Sequence, residues 1–77
     1  MSKLPQITAK ELIKILSKIG FKAIRQSGGH IFLKHKDGRT TVILNHPGEK
    51  IDRGLLNKII KKDVRISREK FEELFSS

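Results

Sequence analysis

The chain has 77 residues, no cysteine and a formal charge of +9. That length suits one small domain, residues 1–77, with a marginal core and no room for a Rossmann domain, a barrel or a buried cofactor. Without cysteine there is no disulfide framework, thiol nucleophile or thiolate-held zinc. Met1-Ser2-Lys3-Leu4-Pro5 carries no apolar targeting core, and no stretch approaches the ~18 apolar residues of a membrane helix, so a soluble cytoplasmic protein with no membrane association is expected.

Reading from the N-terminus, Thr8-Ala9-Lys10-Glu11 forms a capping box, with Ile7 and Leu12 at the staple positions. Leu12, Ile13, Ile15, Leu16 and Ile19 follow helical spacing, Lys10, Lys14 and Lys18 fall on the other face, and Gly20 is the expected stop. Phe21 to Gln26 reads as a short strand, Ser27-Gly28-Gly29 as a turn, and His30 to His35 as a second strand. Lys36-Asp37-Gly38-Arg39 is a hairpin signal, because Asp-Gly accepts the positive-φ turn that matches strand twist. Thr40 to Leu44 is a β-branched third strand. His30, Phe32 and Lys34 share one face of the second strand, and Ile31, Leu33 and His35 the other. Both faces carry apolar residues, so the period does not say which one meets the helices.

Asn45 to Lys50 reads as a loop. Asp52 caps a second helix with a stripe of Leu55, Leu56, Ile59 and Ile60, ending at Lys61-Lys62. Ser67 caps a short last helix, with Ile66 and Phe71 at staple positions and Leu74 and Phe75 continuing its apolar face. The order is helix, three antiparallel strands, helix, short helix: an α+β fold.

Charge narrows the function. Residues 1–39 carry +7, residues 40–62 carry +3 and residues 63–77 carry −1. A small domain with positive charge gathered in its first two thirds most often meets nucleic acid, although an acidic protein partner also fits. The acids Glu11, Asp37, Glu49, Asp52, Asp63, Glu69, Glu72 and Glu73 are scattered, which suggests no carboxylate metal cluster. The spacing of His30, His35 and His46 matches no usual zinc site, so neither metal nor other cofactor is expected.

RNA offers a route without metal. Its 2′-hydroxyl is an internal nucleophile, so cleavage needs a base, an acid and positive charge, and histidine suits the proton-transfer roles. His30 is the best-placed candidate, because Gly28 and Gly29 remove side-chain bulk beside it and let phosphate approach the backbone. His46, in a loop, is second. His35 abuts the hairpin and reads as a solvent-exposed turn neighbour. Lys22, Arg25, Lys34 and Arg39 are the candidate phosphate contacts around His30, with Gly28, Gly29 and His46 completing the RNA-binding set. With four Phe and no Tyr or Trp, the chain does not read as a stacking platform; Phe21, Phe71 and Phe75 look like packing residues, and only Phe32 shares a strand face with His30. From the residues alone, a non-catalytic RNA-binding module stands ahead of a nuclease.

These residues resemble a known family over nearly the whole chain. Glu11-Leu12-Ile13 with Gly20-Phe21 is similar to the opening helix and "GF" step of the HicA toxins, small mRNA interferases of HicA–HicB toxin–antitoxin pairs. Arg25 to Phe32 resembles their "RQxGSHxxF" motif, and Asp37-Gly38-Arg39 with Thr41-Val42 their hairpin and third strand. His46-Pro47-Gly48-Glu49, Ile51 and Gly54-Leu55-Leu56 resemble "HxGxEIxxGTLRxIL", and Ile66-Ser67 with Phe71 resembles "GISxEEF". Gly29 stands where the family often has Ser, Ile43 and Asn45 fall in a "VPxH" approach that here lacks its proline, and Leu55 and Asn57 replace Thr and Arg; Lys58, Lys61 and Lys62 lie near the lost arginine. The resemblance implies a double-stranded-RNA-binding-domain-like α-β-β-β-α fold with helices on one face of the sheet. It also implies ribosome-independent cleavage of single-stranded mRNA with His30 as the catalytic residue, and a HicB-type antitoxin covering the site. It places the nuclease ahead of the binding module. Apart from the resemblance, the free protein is expected to be a monomer, although exposed edge strands could pair.

Overall fold

A computed structural model of the chain describes residues 6–46 and 48–76. Helix α1 (Ala9–Ser17) starts at the expected capping box: the Glu11 N–H donates to Thr8 Oγ1 at 3.2 Å, and the Thr8 N–H donates to Glu11 Oε1 at 2.8 Å. The Thr8 N–H, more than any other group, holds the Glu11 carboxyl below its ordinary range. Ile7 and Leu12 are both buried, as a hydrophobic staple requires. The helix closes in a Schellman pattern, with the Gly20 N–H on the Ser17 carbonyl and the Phe21 N–H on the Leu16 carbonyl. Gly20 has φ +103, and a Cβ there would stand 2.8 Å from His35 Nε2. Glycine is therefore required twice over, for its backbone and for its missing side chain.

The strands β1 (Lys22–Ser27), β2 (His30–Lys34) and β3 (Thr40–Leu44) form an antiparallel sheet in the order β1-β2-β3. The structure settles the question of faces. Ile31 and Leu33 of β2, with Thr41 and Ile43 of β3, are buried. They meet Leu12, Ile15 and Leu16 of α1 and the apolar residues of the C-terminal helices in one core. Thr41 is the one buried polar side chain among the described residues, and its hydroxyl donates to Asp63 Oδ2 at 2.9 Å. Among the described residues no helix covers the opposite face of the sheet. That face presents His30, Phe32 and Lys34 beside Thr40, Val42 and Leu44. Strand β1 is exposed along its length, and its register slips between Ala23 and Arg25.

Helix α2 (Arg53–Lys58) is capped by Asp52, whose Oδ2 accepts the Gly54 N–H at 3.0 Å. It does not stop at Lys61-Lys62 as expected. The chain widens into a π-helical segment, Ile59–Val64, which buries Ile59, Ile60 and Val64 and ends at Arg65 in the left-handed region with φ 62. Two bonds from the hairpin side pin that segment: Thr41 to Asp63, and the Arg39 guanidinium to the Val64 carbonyl. Leu55, expected in the buried stripe, is instead 40% exposed. In α3 (Arg68–Ser76) the Lys70 N–H donates to Ser67 Oγ at 3.0 Å, and Phe71 is fully buried. Phe75 lies outside the core, 44% exposed, and lines a surface hollow together with Glu11, Lys14, Ile15 and Lys18 of α1. Among the described residues no helix is long and apolar enough to cross a membrane.

Candidate active site

The β1–β2 turn builds the site. Ser27 pairs with His30, which leaves Gly28 and Gly29 as a two-residue connection. Gly28 has φ +59 and Gly29 lies outside the left-handed region, the pattern of a type II′ hairpin with glycine at the first central position. The Gly29 carbonyl accepts the Asn45 N–H at 2.6 Å, which ties the end of β3 to the turn. His30 is exposed at the first position of β2, beyond the bulk of any neighbouring turn side chain.

Registry sorts the open face into three rows across the sheet. Ser27, His30 and Leu44 form the first; Arg25, Phe32 and Val42 the second; Lys22, Lys34 and Thr40 the third. Cross-strand partners share a face, so Lys22, Arg25 and Lys34 all stand with His30. Arg25 lies over the Phe32 ring, its Cζ 5.6 Å from the centroid. No carboxylate occurs in any of the three strands. The nearest in sequence, Asp37, sits in the β2–β3 hairpin, where the Arg39 N–H, above other contacts, holds its carboxyl below the ordinary range.

Ser27 is a site neighbour that sequence reasoning passed over. The hydroxyl that Gly29 withholds beside the histidine is offered from the other side of the turn by the residue paired with His30. Nor is Gly29 imposed by space, since a Cβ there would make only ordinary contact with the Asn45 carbonyl at 3.9 Å. Gly29→Ser should therefore fold with stability within about 0.5 kcal/mol of wild type. Thermal unfolding followed by circular dichroism checks this; a loss of several degrees would show that the turn needs glycine at both positions.

His46 comes to the same end of the sheet as His30. It lies two residues past Leu44, the β3 partner of His30. Its loop is held on one side by Asn45 and on the other by the Ile51 N–H on the Ile7 carbonyl at 2.7 Å and by a bridge between Thr8 and Lys50. The ring is exposed, with Nδ1 3.8 Å from Glu49 Oε2.

Two expectations need correction. Arg39 does not join the open face. It leaves the hairpin on the helix side, where its guanidinium donates to the Val64 carbonyl and to Asp37 Oδ2 and lies 5.2 Å from the Phe21 ring centroid. Those contacts make it a strut between hairpin and core. His35 is not a solvent-exposed turn neighbour either. Its side chain is only 12% exposed, Nε2 donates to the Ile19 carbonyl at 2.8 Å, and its ring meets Phe21 edge-on. Of the three histidines, His30 and His46 are free to meet a ligand and His35 is structural. Among the described residues no three His, Asp or Glu side chains group as a metal site would need.

Comparison with protein-family models matches residues 9–63 to the family described as HicA toxin of bacterial toxin–antitoxin systems. The chain belongs to the HicA toxin family. The match runs from the first residue of α1 to the next-to-last residue of the π-helical segment, and takes in the whole sheet and the glycine turn. As a HicA toxin, the protein is one half of a toxin–antitoxin system, and a cognate antitoxin is implied as its partner. Comparison with curated proteins found no match.

Proposed function

We propose that this HicA toxin is an endoribonuclease that cleaves single-stranded mRNA without the ribosome and without metal, with His30 as its general acid or base. The observation that carries this reading is the placement of His30. It stands on an open sheet face with Lys22, Arg25 and Lys34, beside a turn with no side chains, in a chain of a toxin family. In the reaction the 2′-oxygen attacks the adjacent phosphorus and the bond to the 5′-oxygen breaks. His30 moves the proton at one of these two oxygens, Arg25 in the adjacent row offsets charge building on the phosphorane, and Lys22 and Lys34, one row further, hold a neighbouring phosphate. Gly28 and Gly29 let a phosphate approach the backbone, and His46 extends the contact at the same end of the sheet. A HicB-type antitoxin neutralises the toxin by covering this face, and the free toxin acts in the cytoplasm as a monomer.

The test is incubation of the purified protein with single-stranded RNA in EDTA. RNA should be cut, while an oligonucleotide with a single 2′-deoxy nucleotide at the scissile position should stay intact there. Cleavage at the deoxy position would remove the 2′-oxygen from the mechanism.

A second reading, a non-catalytic RNA-binding module, draws on one observation: among the described residues no protein group hydrogen-bonds the His30 ring to fix its orientation. It requires salt-dependent RNA binding with no cleavage and no growth arrest on expression.

A further inference from the structure

The middle row of the open face has a chemistry of its own. Phe32 is the one phenylalanine on that face among the described residues, half-buried in its setting, and it lies outside the helix-covered core. It sits two residues from His30 on the same strand and the same side, a separation of about 6.8 Å along β2. Above its ring lies the Arg25 guanidinium, and Val42 flanks it on β3. Beyond it, Lys22 and Lys34 are paired directly across β1 and β2. Proton transfer, an aromatic ring and paired cations thus follow one another along the face.

We infer that Phe32 is a base-stacking seat for the nucleotide next to the scissile phosphate, with Arg25 occupying the ring until RNA arrives. This rests on the reading of the open face as an RNA site and assigns that site its anchor and direction. The occupant is argued from charge: the face offers Lys22, Arg25 and Lys34 with no strand carboxylate to oppose them, which complements a polyanion. An exposed cation–π contact is weaker than stacking of a base on an aromatic ring, so exchange of Arg25 for a base is favourable. The displaced guanidinium is then free to pair with a phosphate flanking that base. One ring makes one seat and not a platform, which agrees with a chain that has no Tyr or Trp. Because every base has a π face, such a seat grips RNA with little regard to sequence.

The experiment measures binding apart from cleavage. A labelled 2′-O-methyl oligonucleotide of about six nucleotides, which has no free 2′-hydroxyl to attack, is titrated into full-length wild type, Phe32→Leu and Phe32→Tyr by fluorescence anisotropy. The leucine variant should bind roughly 5- to 100-fold more weakly, and the tyrosine variant like wild type. The salt dependence of log Kd should be the same for Phe32→Leu as for wild type, and shallower for Lys34→Gln. An abasic position walked along the oligonucleotide should weaken wild type at one place and leave the leucine variant unaffected there. A merely structural role for Phe32 would show no such coupling, and thermal unfolding of each variant identifies any that fails to fold. Equal abasic losses in wild type and Phe32→Leu would overturn the proposal. So would unchanged RNA binding by Phe32→Leu together with lost antitoxin binding, which would give the seat to the protein partner. Coupling in a protein that cuts no RNA would uphold the seat while refuting the nuclease.

Discussion

Replacing His30 with alanine is expected to lower RNA cleavage by roughly 10²- to 10⁴-fold, the usual contribution of a positioned acid or base. Growth arrest on expression should disappear with it. The loss should be chemical and not structural. His30 is exposed on the open face, the core lies on the other side of the sheet, and the turn that presents it is built from Gly28, Gly29 and the backbone bond to Asn45. The variant should therefore unfold within about 0.5 kcal/mol of wild type and bind RNA nearly as tightly. His46→Ala should weaken RNA binding but lower cleavage much less than His30→Ala, since that ring extends the contact from the loop beyond β3. Full cleavage by the His30 variant would exclude His30 from the mechanism; full cleavage by it alongside an inactive His46 variant would transfer the role to His46.

The second large effect concerns stability. Phe71→Ala should cost about 3–5 kcal/mol, because Phe71 is fully buried where α3 closes the core beside Ile66 and Leu74. In a domain of this size each kcal/mol lowers Tm by about 4–8 °C, so the variant should melt tens of degrees lower or be unfolded at ambient temperature. Phe75→Ala, four residues on but 44% exposed, should change stability by no more than about 1 kcal/mol. Thermal unfolding by circular dichroism separates the two. The comparison is informative because α3 lies beyond residues 9–63, the part that matches the family. If Phe71→Ala melts like wild type, α3 is an appendage and not part of the core.

Local chemistry explains which parts of this structure could be read from sequence. The capping box at Thr8 and Glu11 and the Asp52 cap are set by contacts within a few residues and are found where the residues indicate; the hairpin and strand Thr40–Leu44 also lie where expected, but the connection runs over residues 35–39 and Gly38, not Asp37, takes the positive φ. The faces of β2 were not legible, since apolar residues occur on both and only packing against α1 and the π-helical segment selects Ile31 and Leu33 for the core. His35 and Arg39 were misread for a related reason. Residues flanking an Asp-Gly turn usually face water, but here both point to the helix side and find carbonyl partners distant in sequence, at Ile19 and Val64. The end of α2 was misplaced because Lys61-Lys62 suits a helix C-terminus electrostatically, whereas burial of Val64 and the Thr41–Asp63 bond carry the chain further.

For the site, sequence located the glycine turn, His30 and the cations Lys22, Arg25 and Lys34, which the sheet registry brings to one face. Arg39 lies near them along the chain, but the hairpin sends it to the other side of the sheet. Ser27 and the Arg25–Phe32 stack were missed, although both lie between the turn and the slip and follow from counting back along β1; the slip between Ala23 and Arg25 decides only Lys22, which it brings to the face of His30. A two-residue turn pairs its flanking residues, so Ser27 opposite His30 could have been inferred from Gly28-Gly29 alone.

The chemistry of the newly formed RNA ends bears most directly on His30-driven, metal-independent cleavage. Purified wild-type protein in EDTA should leave a 2′,3′-cyclic phosphate on one fragment and a 5′-hydroxyl on the other, because the internal 2′-oxygen is the nucleophile. Fragments bearing a 5′-phosphate and a 3′-hydroxyl, or cleavage that stops when divalent ions are chelated, would contradict it.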